Sequence, residues 1–385
     1  DRIEDLLGVV NIEHLDENNI NKVVENYCVL IQKYMDVNKG KVFIHSLTAN
    51  ATSCSYGQQK ITYTLKKQND LIDSYFADHD NVLVVDIPAI AQNSSSYFDP
   101  RTWYIGRFPY SDVMTKSIVK KWASITLSQM EKTIRLIVLD LDNTLWGGVV
   151  GEDGIEGIRI GGDYPGNCFR DFQLLLKGLA QNGIALAICS KNDQEIALNV
   201  FENRASMALS KEDIVAYRIN WAPKYQNIQE LVKELSLGLE SVLFIDDNPV
   251  ERETVRKNLP EVKVLDLPED PALYSTTLNE CLWLEMVTVT DLDRRRVSSY
   301  KAKSKIEAGI RAAESIEDFL MDLDINVFLQ SLSSSNIDRA TQLCAKTNQF
   351  NTTSKRYNES DLYQLEADGH QVFVVGMEDT FSEKE

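Results

Sequence analysis

Between about Lys132 and Pro268 the chain carries five runs, IRLIVLD, IALAICS, IVAYRI, SVLFID and VKVLD, each apolar almost without interruption. The segments between them space their apolar residues as helices do. A strand buried on one face alternates apolar with polar, whereas a run apolar at every position needs cover on both faces. That is the condition of a strand in a parallel sheet between two layers of helices, so this segment is expected to be α/β and Rossmann-like. Sheets of this kind bind ligands beyond the carboxyl ends of their strands.

The 385 residues correspond to two or three domains at about 150 residues each. An N-terminal α/β region is expected over 1–130, with helices near Asn18 to Tyr34, Gly57 to Tyr75 and Val113 to Met130 and strands at KVFIHSL and NVLVVDI. The central domain is expected over 131–268. A helical and then α+β region follows over 269–385, with strands at INVFLQ and QVFVVGM. The chain opens on Asp1 and stops just after an apolar run, so it is expected to be a piece of something longer.

Forty Lys plus Arg against 58 Asp plus Glu leave a net charge of -18, the wrong sign for lining a nucleic-acid backbone, and no nucleic-acid partner is expected. The apolar runs fall short of the roughly 20 residues that span a bilayer, and no secretory leader opens the sequence, which predicts a cytoplasmic protein without a membrane partner. The six cysteines include no CxxC pair and the four histidines lie far from them in sequence, so neither a zinc site nor a disulfide framework is expected.

The chemistry is concentrated at the strand ends. The run LIVLD ends in Asp140, Leu141, Asp142, Asn143 and Thr144. ALAIC ends in Ser190, Lys191 and Asn192, the segment after the next strand holds Lys224, and VLFI ends in Asp246 and Asp247. Close carboxylates at the end of a buried strand repel one another unless a cation or a proton is shared, and a divalent metal is the simplest remedy. A carboxylate that attacks phosphorus needs Mg²⁺ to hold two anions together, a lysine to neutralise the equatorial oxygens, and a second acid to protonate the leaving oxygen. All these residue types are present. Taken singly, the acidic pair is also compatible with a solvated turn, Lys224 with a surface helix start, and Ser190 with an N-cap that would itself favour an anion.

This order of motifs resembles the haloacid-dehalogenase (HAD) superfamily of aspartyl-nucleophile phosphatases and phosphotransferases. Phosphate-receiver domains share the ingredients, but there the acidic pair comes first, opposite to the order here. The resemblance implies Asp140 as nucleophile and Asp142 as general acid/base. It implies that Thr144, Ser190 and Lys224 grip the phosphoryl group, and that Asp140, the carbonyl of Asp142 and Asp247 bind Mg²⁺ with Asp246 close by. The longer strings VLDLDNTLWGGVVGEDG, SKND, WAPKYQNI, FIDDNPVERETV and TNQFNTTSKRY are similar to the FkbH-like branch of that superfamily, from Asp99 through Tyr357.

That branch implies work on a phosphorylated metabolite in polysaccharide or polyketide-type biosynthesis, with an acyl carrier protein as a further partner. It also implies an SGNH-like N-terminal region and an acetyltransferase-like C-terminal one. The sequence departs from the pattern at both flanks: no GDS block or DxxH pair stands in the first, and no [RQ]xxGx[GA] loop follows Val327. Two alternatives to hydrolysis stay open, namely glyceryl or acyl transfer through Cys189 and a non-catalytic carrier-docking scaffold. The alternation of Cys189 with the buried residues of ALAIC favours a packed core thiol, and the basic stretch Arg294 to Lys305 reads as a solvated helix face ahead of a docking helix. The intervals from Asp140 to Ser190 and from Ser190 to Asp246 are used up by strand–helix units, which predicts a site without a cap domain. The Gly-rich WGGVVGEDGIEGIRIGG loop, the aromatic FDPRTWYIGRFPY segment or a partner would then exclude water, the aromatic segment being equally suited to plain packing.

Overall fold

The structure, a computed structural model, describes residues 17–48, 58–79, 81–92, 94, 96–106, 108–130, 133–285, 291–312, 325–346 and 355–378. Most of the TNQFNTTSKRY string, residues 347–354, therefore lies outside the described residues. The chain divides into two compact units, Asp1–Thr133 with Glu280–Val287, and Ile134–Asn279 with Thr288–Glu385. Of the segment expected as a third domain, one short piece belongs to the first unit and the rest clusters with the second.

In the first unit β1 (Val42–His45) and β2 (Val82–Val85) pair in parallel, from Val42↔Val82 to His45↔Val85. The helices Glu17–Val37 and Gln58–Phe76 bury Val24, Cys28, Ile72 and Phe76 around them. The helix Asp112–Gln129 starts at Ser111, whose hydroxyl accepts from the Met114 N–H at 3.2 Å, the usual N-cap arrangement. The aromatic segment before it folds on itself: Phe98 bridges to Tyr110, and Trp103 is buried on the short helix Pro100–Gly106.

The second unit holds all five expected strands: β3 (Leu136–Leu139), β4 (Ala185–Ser190), β5 (Ile214–Ile219), β6 (Val242–Asp246) and β7 (Lys263–Asp266). They form one parallel sheet in the order β5-β4-β3-β6-β7. Every residue of β3, β4 and β6 is buried, and successive side chains point to opposite faces, so both faces are covered. On one of them Val138, Ala187, Cys189 and Phe244 pack beneath Ile228, Leu231 and Leu235 of the helix Lys224–Leu235 and Val255 of the helix Pro249–Asn258.

The chain leaves β3 in one direction, through β4 and β5, and returns to the other side of β3 as β6 and β7. The order therefore reverses between β3 and β6, and at such a reversal the flanking helices part and leave a crevice at the strand ends. Between β3 and β4 stand the helices Val150–Gly157 and Gly166–Gln181; between β4 and β6 stand Gln194–Asn203, β5 and Lys224–Leu235. No further sheet is inserted in either interval. Farther along, the helix Asp291–Ala312 precedes β8 (Asn326–Ser331) and β9 (Phe373–Glu378), an antiparallel pair in which Val374 of β9 packs against the cluster of Leu332, Ile337, Ala340 and Leu362.

Candidate active site

Asp140 is the first residue after β3, and its N–H donates to the Ile245 carbonyl at 3.0 Å, which continues the ladder between β3 and β6 by one step. That bond sets its side chain at the reversal point beside the end of β6. Asp246 and Asp247 stand there: one oxygen from each of the three carboxylates lies within 4.8 Å of the others. Lys224, the first residue of its helix, reaches in from the β5 side, with Nζ 2.5 Å from Asp246 Oδ2 and 3.0 Å from Asp140 Oδ1. Asp140 Oδ1 is buried, and its partner among the described residues is the Lys224 ammonium.

Three carboxylates, those of Asp140, Asp246 and Asp247, thus gather at one place, and one ammonium pairs with two of them. Burial and then the Asp140 charge push the Asp247 carboxyl up to about 6. The same two causes raise Asp246, against the pull of Lys224. Burial first, and Asp140 to a lesser degree, raises Asp142. For Lys224 burial alone would lower the ammonium, but Asp140 and Asp246 outweigh it and hold it above the ordinary lysine value. The excess of negative charge is what a divalent cation relieves, and oxygen donors at this spacing suit a hard one.

The predicted residues come together with different tasks. Ser190 ends β4 almost fully buried, with its carbonyl accepting from Asn220 N–H at 3.1 Å. Thr144 has no exposed surface, and its hydroxyl accepts from Asp247 N–H at 3.2 Å, so it ties the turn after β3 to the turn after β6. Asp142 Oδ1 accepts from Trp146 Nε1 at 2.8 Å and from Val150 N–H at 3.0 Å. Cys189 stands apart: it is fully buried beneath the helix Lys224–Leu235, and burial pushes its thiol up to about 12. A thiol so placed packs as a core group.

Several participants carry no sequence signal of their own. Asn143 takes a left-handed conformation, φ 54°, that asparagine tolerates. Its side chain accepts from Gly148 N–H at 2.9 Å and its carbonyl from the Tyr274 hydroxyl at 3.0 Å, which pins the Asp140–Thr144 turn from two sides. Arg252, nearly buried, gives Nη1 to the carbonyls of both Asp246 and Asp247 at 2.7 Å. Lys191 after β4 and Glu251 after β6 join at 2.6 Å across β3, which lies between those strands. Only position offers a clue: Lys191 directly follows Ser190, and Arg252 lies one turn into the helix that follows the acidic pair.

No family model and no curated protein matches the sequence. Among solved structures, the N-terminal part of the protein BF1531 from Bacteroides fragilis, containing a phosphatase domain and complexed with Mg, is 30% identical. That match covers 72% of this chain and 76% of the other, with a TM-score of 0.65. The 3-deoxy-D-manno-octulosonate 8-phosphate phosphatase from Moraxella catarrhalis is 19% identical, covering 49% and 97% of the two chains with a TM-score of 0.25. With its five-stranded parallel sheet, its acids at the ends of β3 and β6, and this identity to the Bacteroides phosphatase domain over three-quarters of that structure, the chain belongs to the HAD-superfamily phosphatases.

Proposed function

We propose that the protein is a Mg²⁺-dependent phosphatase that acts through Asp140 on a phosphorylated small molecule. The observation that carries this reading is the Asp140 carboxylate itself: buried at the strand reversal, with two further carboxylates beside it and one ammonium as its ion-pair partner. A divalent ion fits that donor set, and Asp140, Asp247 and the Asp142 carbonyl would hold it. Asp246, already engaged by Lys224 and by Asn248 N–H at 2.9 Å, supports them. When bound, Mg²⁺ draws the carboxylate and phosphoryl anions together. The Bacteroides fragilis phosphatase domain, complexed with Mg, supports the choice of ion.

In this reading Asp140 attacks phosphorus and forms an aspartyl phosphate as the bond to the leaving oxygen breaks, while Asp142 gives that oxygen a proton. Water then attacks phosphorus, Asp142 takes its proton, and phosphate leaves with Asp140 restored. Lys224 and the Ser190 hydroxyl hold the equatorial oxygens, and Thr144 keeps the Asp247 turn in place against the nucleophile's turn. The resemblance to the FkbH-like branch supports a substrate from polysaccharide or polyketide-type biosynthesis and an acyl carrier protein as partner. The burial of Cys189 favours hydrolysis over acyl transfer. Phosphate release from p-nitrophenyl phosphate and a panel of metabolite phosphates tests the reading. The protein is expected to release phosphate with Mg²⁺ and to stop with EDTA, and Asp140→Asn is expected to fold yet turn nothing over. Turnover retained in Asp140→Asn would refute it.

A further inference from the structure

Asp142 has a third hydrogen-bond donor, and it comes from a different strand. Asn192 Nδ2 donates to Asp142 Oδ2 at 2.9 Å, from a side chain 5% exposed and 50 residues along the chain. The amide cannot turn over, because its Oδ1 accepts from Asp193 N–H at 2.9 Å and a backbone N–H can only donate. Asp193 in turn caps the helix Gln194–Asn203, accepting from Glu195 N–H and Ile196 N–H at 3.0 and 3.1 Å. The NH₂ group of Asn192 is therefore held toward Asp142 by an anchored helix start.

The three donors are unevenly shared. Oδ1 receives Trp146 Nε1 and Val150 N–H, which fill both of its in-plane lone pairs. Among the described residues Oδ2 receives Asn192 and no second donor, which leaves one lone pair for a substrate. A carboxyl passes a proton only from an oxygen with a free lone pair, and the direction of that lone pair is set by the rotation of the carboxyl plane. Trp146 and Val150 locate one end of the plane; Asn192 fixes its rotation.

We propose that Asn192 is a positioning residue that orients Asp142 so that Oδ2 exchanges the proton with substrate. The proposal rests on the reading of Asp142 as general acid/base given above. As the bond between phosphorus and the leaving oxygen breaks, its electron pair stays on that oxygen, which takes the proton from Asp142 Oδ2. In the second half the proton of the attacking water returns to Oδ2. Asn192 touches neither phosphorus nor the leaving group.

The test compares kcat/KM, which reports the steps through the first P–O cleavage, for phenyl phosphate and p-nitrophenyl phosphate with Mg²⁺. Phenolate is a poor leaving group and needs the proton, whereas nitrophenolate departs largely without it. General acid catalysis is worth about 10²–10⁴-fold, and misorienting the acid forfeits part of it. Asn192→Ala is therefore expected to lose about 10–100-fold on phenyl phosphate and no more than about threefold on p-nitrophenyl phosphate. Asp142→Asn should show the same bias in full. Retained p-nitrophenyl phosphate turnover shows that the variant is folded. Equal losses on both esters, or a loss on neither, would overturn the positioning role while leaving the phosphatase reading intact. No turnover of either ester by the parent protein would instead remove that reading, and this proposal with it.

Discussion

Replacing Lys224 by methionine keeps most of the side-chain volume and removes the ammonium that stands between Asp140 and Asp246. The size of the effect follows from burial. Lys224 has 4% of its side chain exposed, Asp246 none and Asp140 10%, so this pair belongs with buried ion pairs. Exposed pairs contribute about 0–1 kcal/mol, but removing one partner of a buried pair costs about 3–5 kcal/mol, because the other charge is left in a poorly solvating interior. At about 2–4 °C per kcal/mol for a unit of this size, metal-free Lys224→Met is expected to melt about 6–20 °C below the parent. Adding Asp246→Asn removes the more deeply buried of the two orphaned charges and should return at least about 2 kcal/mol, read from urea unfolding of the four proteins in a double-mutant cycle. A Lys224→Met protein within about 1 kcal/mol of the parent, or no recovery in the double variant, would refute the account of a buried pair that organises the site.

Arg252 holds two carbonyls at the ends of adjacent peptide units, so Arg252→Ala should destabilise the protein by about 1.5–3 kcal/mol and weaken Mg²⁺ binding about 10–100-fold. Titration of Mg²⁺ followed by calorimetry measures the second effect, and an unchanged affinity would show that the clamp does not set the acidic turn. Gly148 has φ +99°, and a Cβ there would lie 2.5 Å from Asp153 Oδ2, which accepts from Val149 N–H. Gly148→Ala is expected to cost about 1–3 kcal/mol in urea unfolding, through backbone strain and the displaced carboxylate. A neutral result would mean that the loop after the Asp140 turn relaxes freely.

The helices expected from residue spacing in the first segment appear as Glu17–Val37, Gln58–Phe76 and Asp112–Gln129, and all five central strands appear where the apolar runs stand. These elements are legible because their signal is local. A run such as LIVL can be satisfied only by cover on both faces, and acids at its end can only emerge where the sheet stops. The roles of the same residues are another matter. The alternation of ALAIC favours the core for Cys189 without saying what covers it; the helix Lys224–Leu235 lies over it.

Local sequence thus determined that the chain makes a parallel sheet with carboxylates, a hydroxyl and a lysine at its strand ends. The folded chain alone decided the strand order, and with it the partners. Thr144 meets Asp247 N–H across 103 residues, Tyr274 meets Asn143 across 131, and Asn192 meets Asp142 across 50. The physical reason is one of range. Burial pattern is a property of each run and its neighbours, but a hydrogen bond between two loops exists only once their strands stand side by side, β4 on one flank of β3 and β6 on the other, and no short stretch of residues encodes that order.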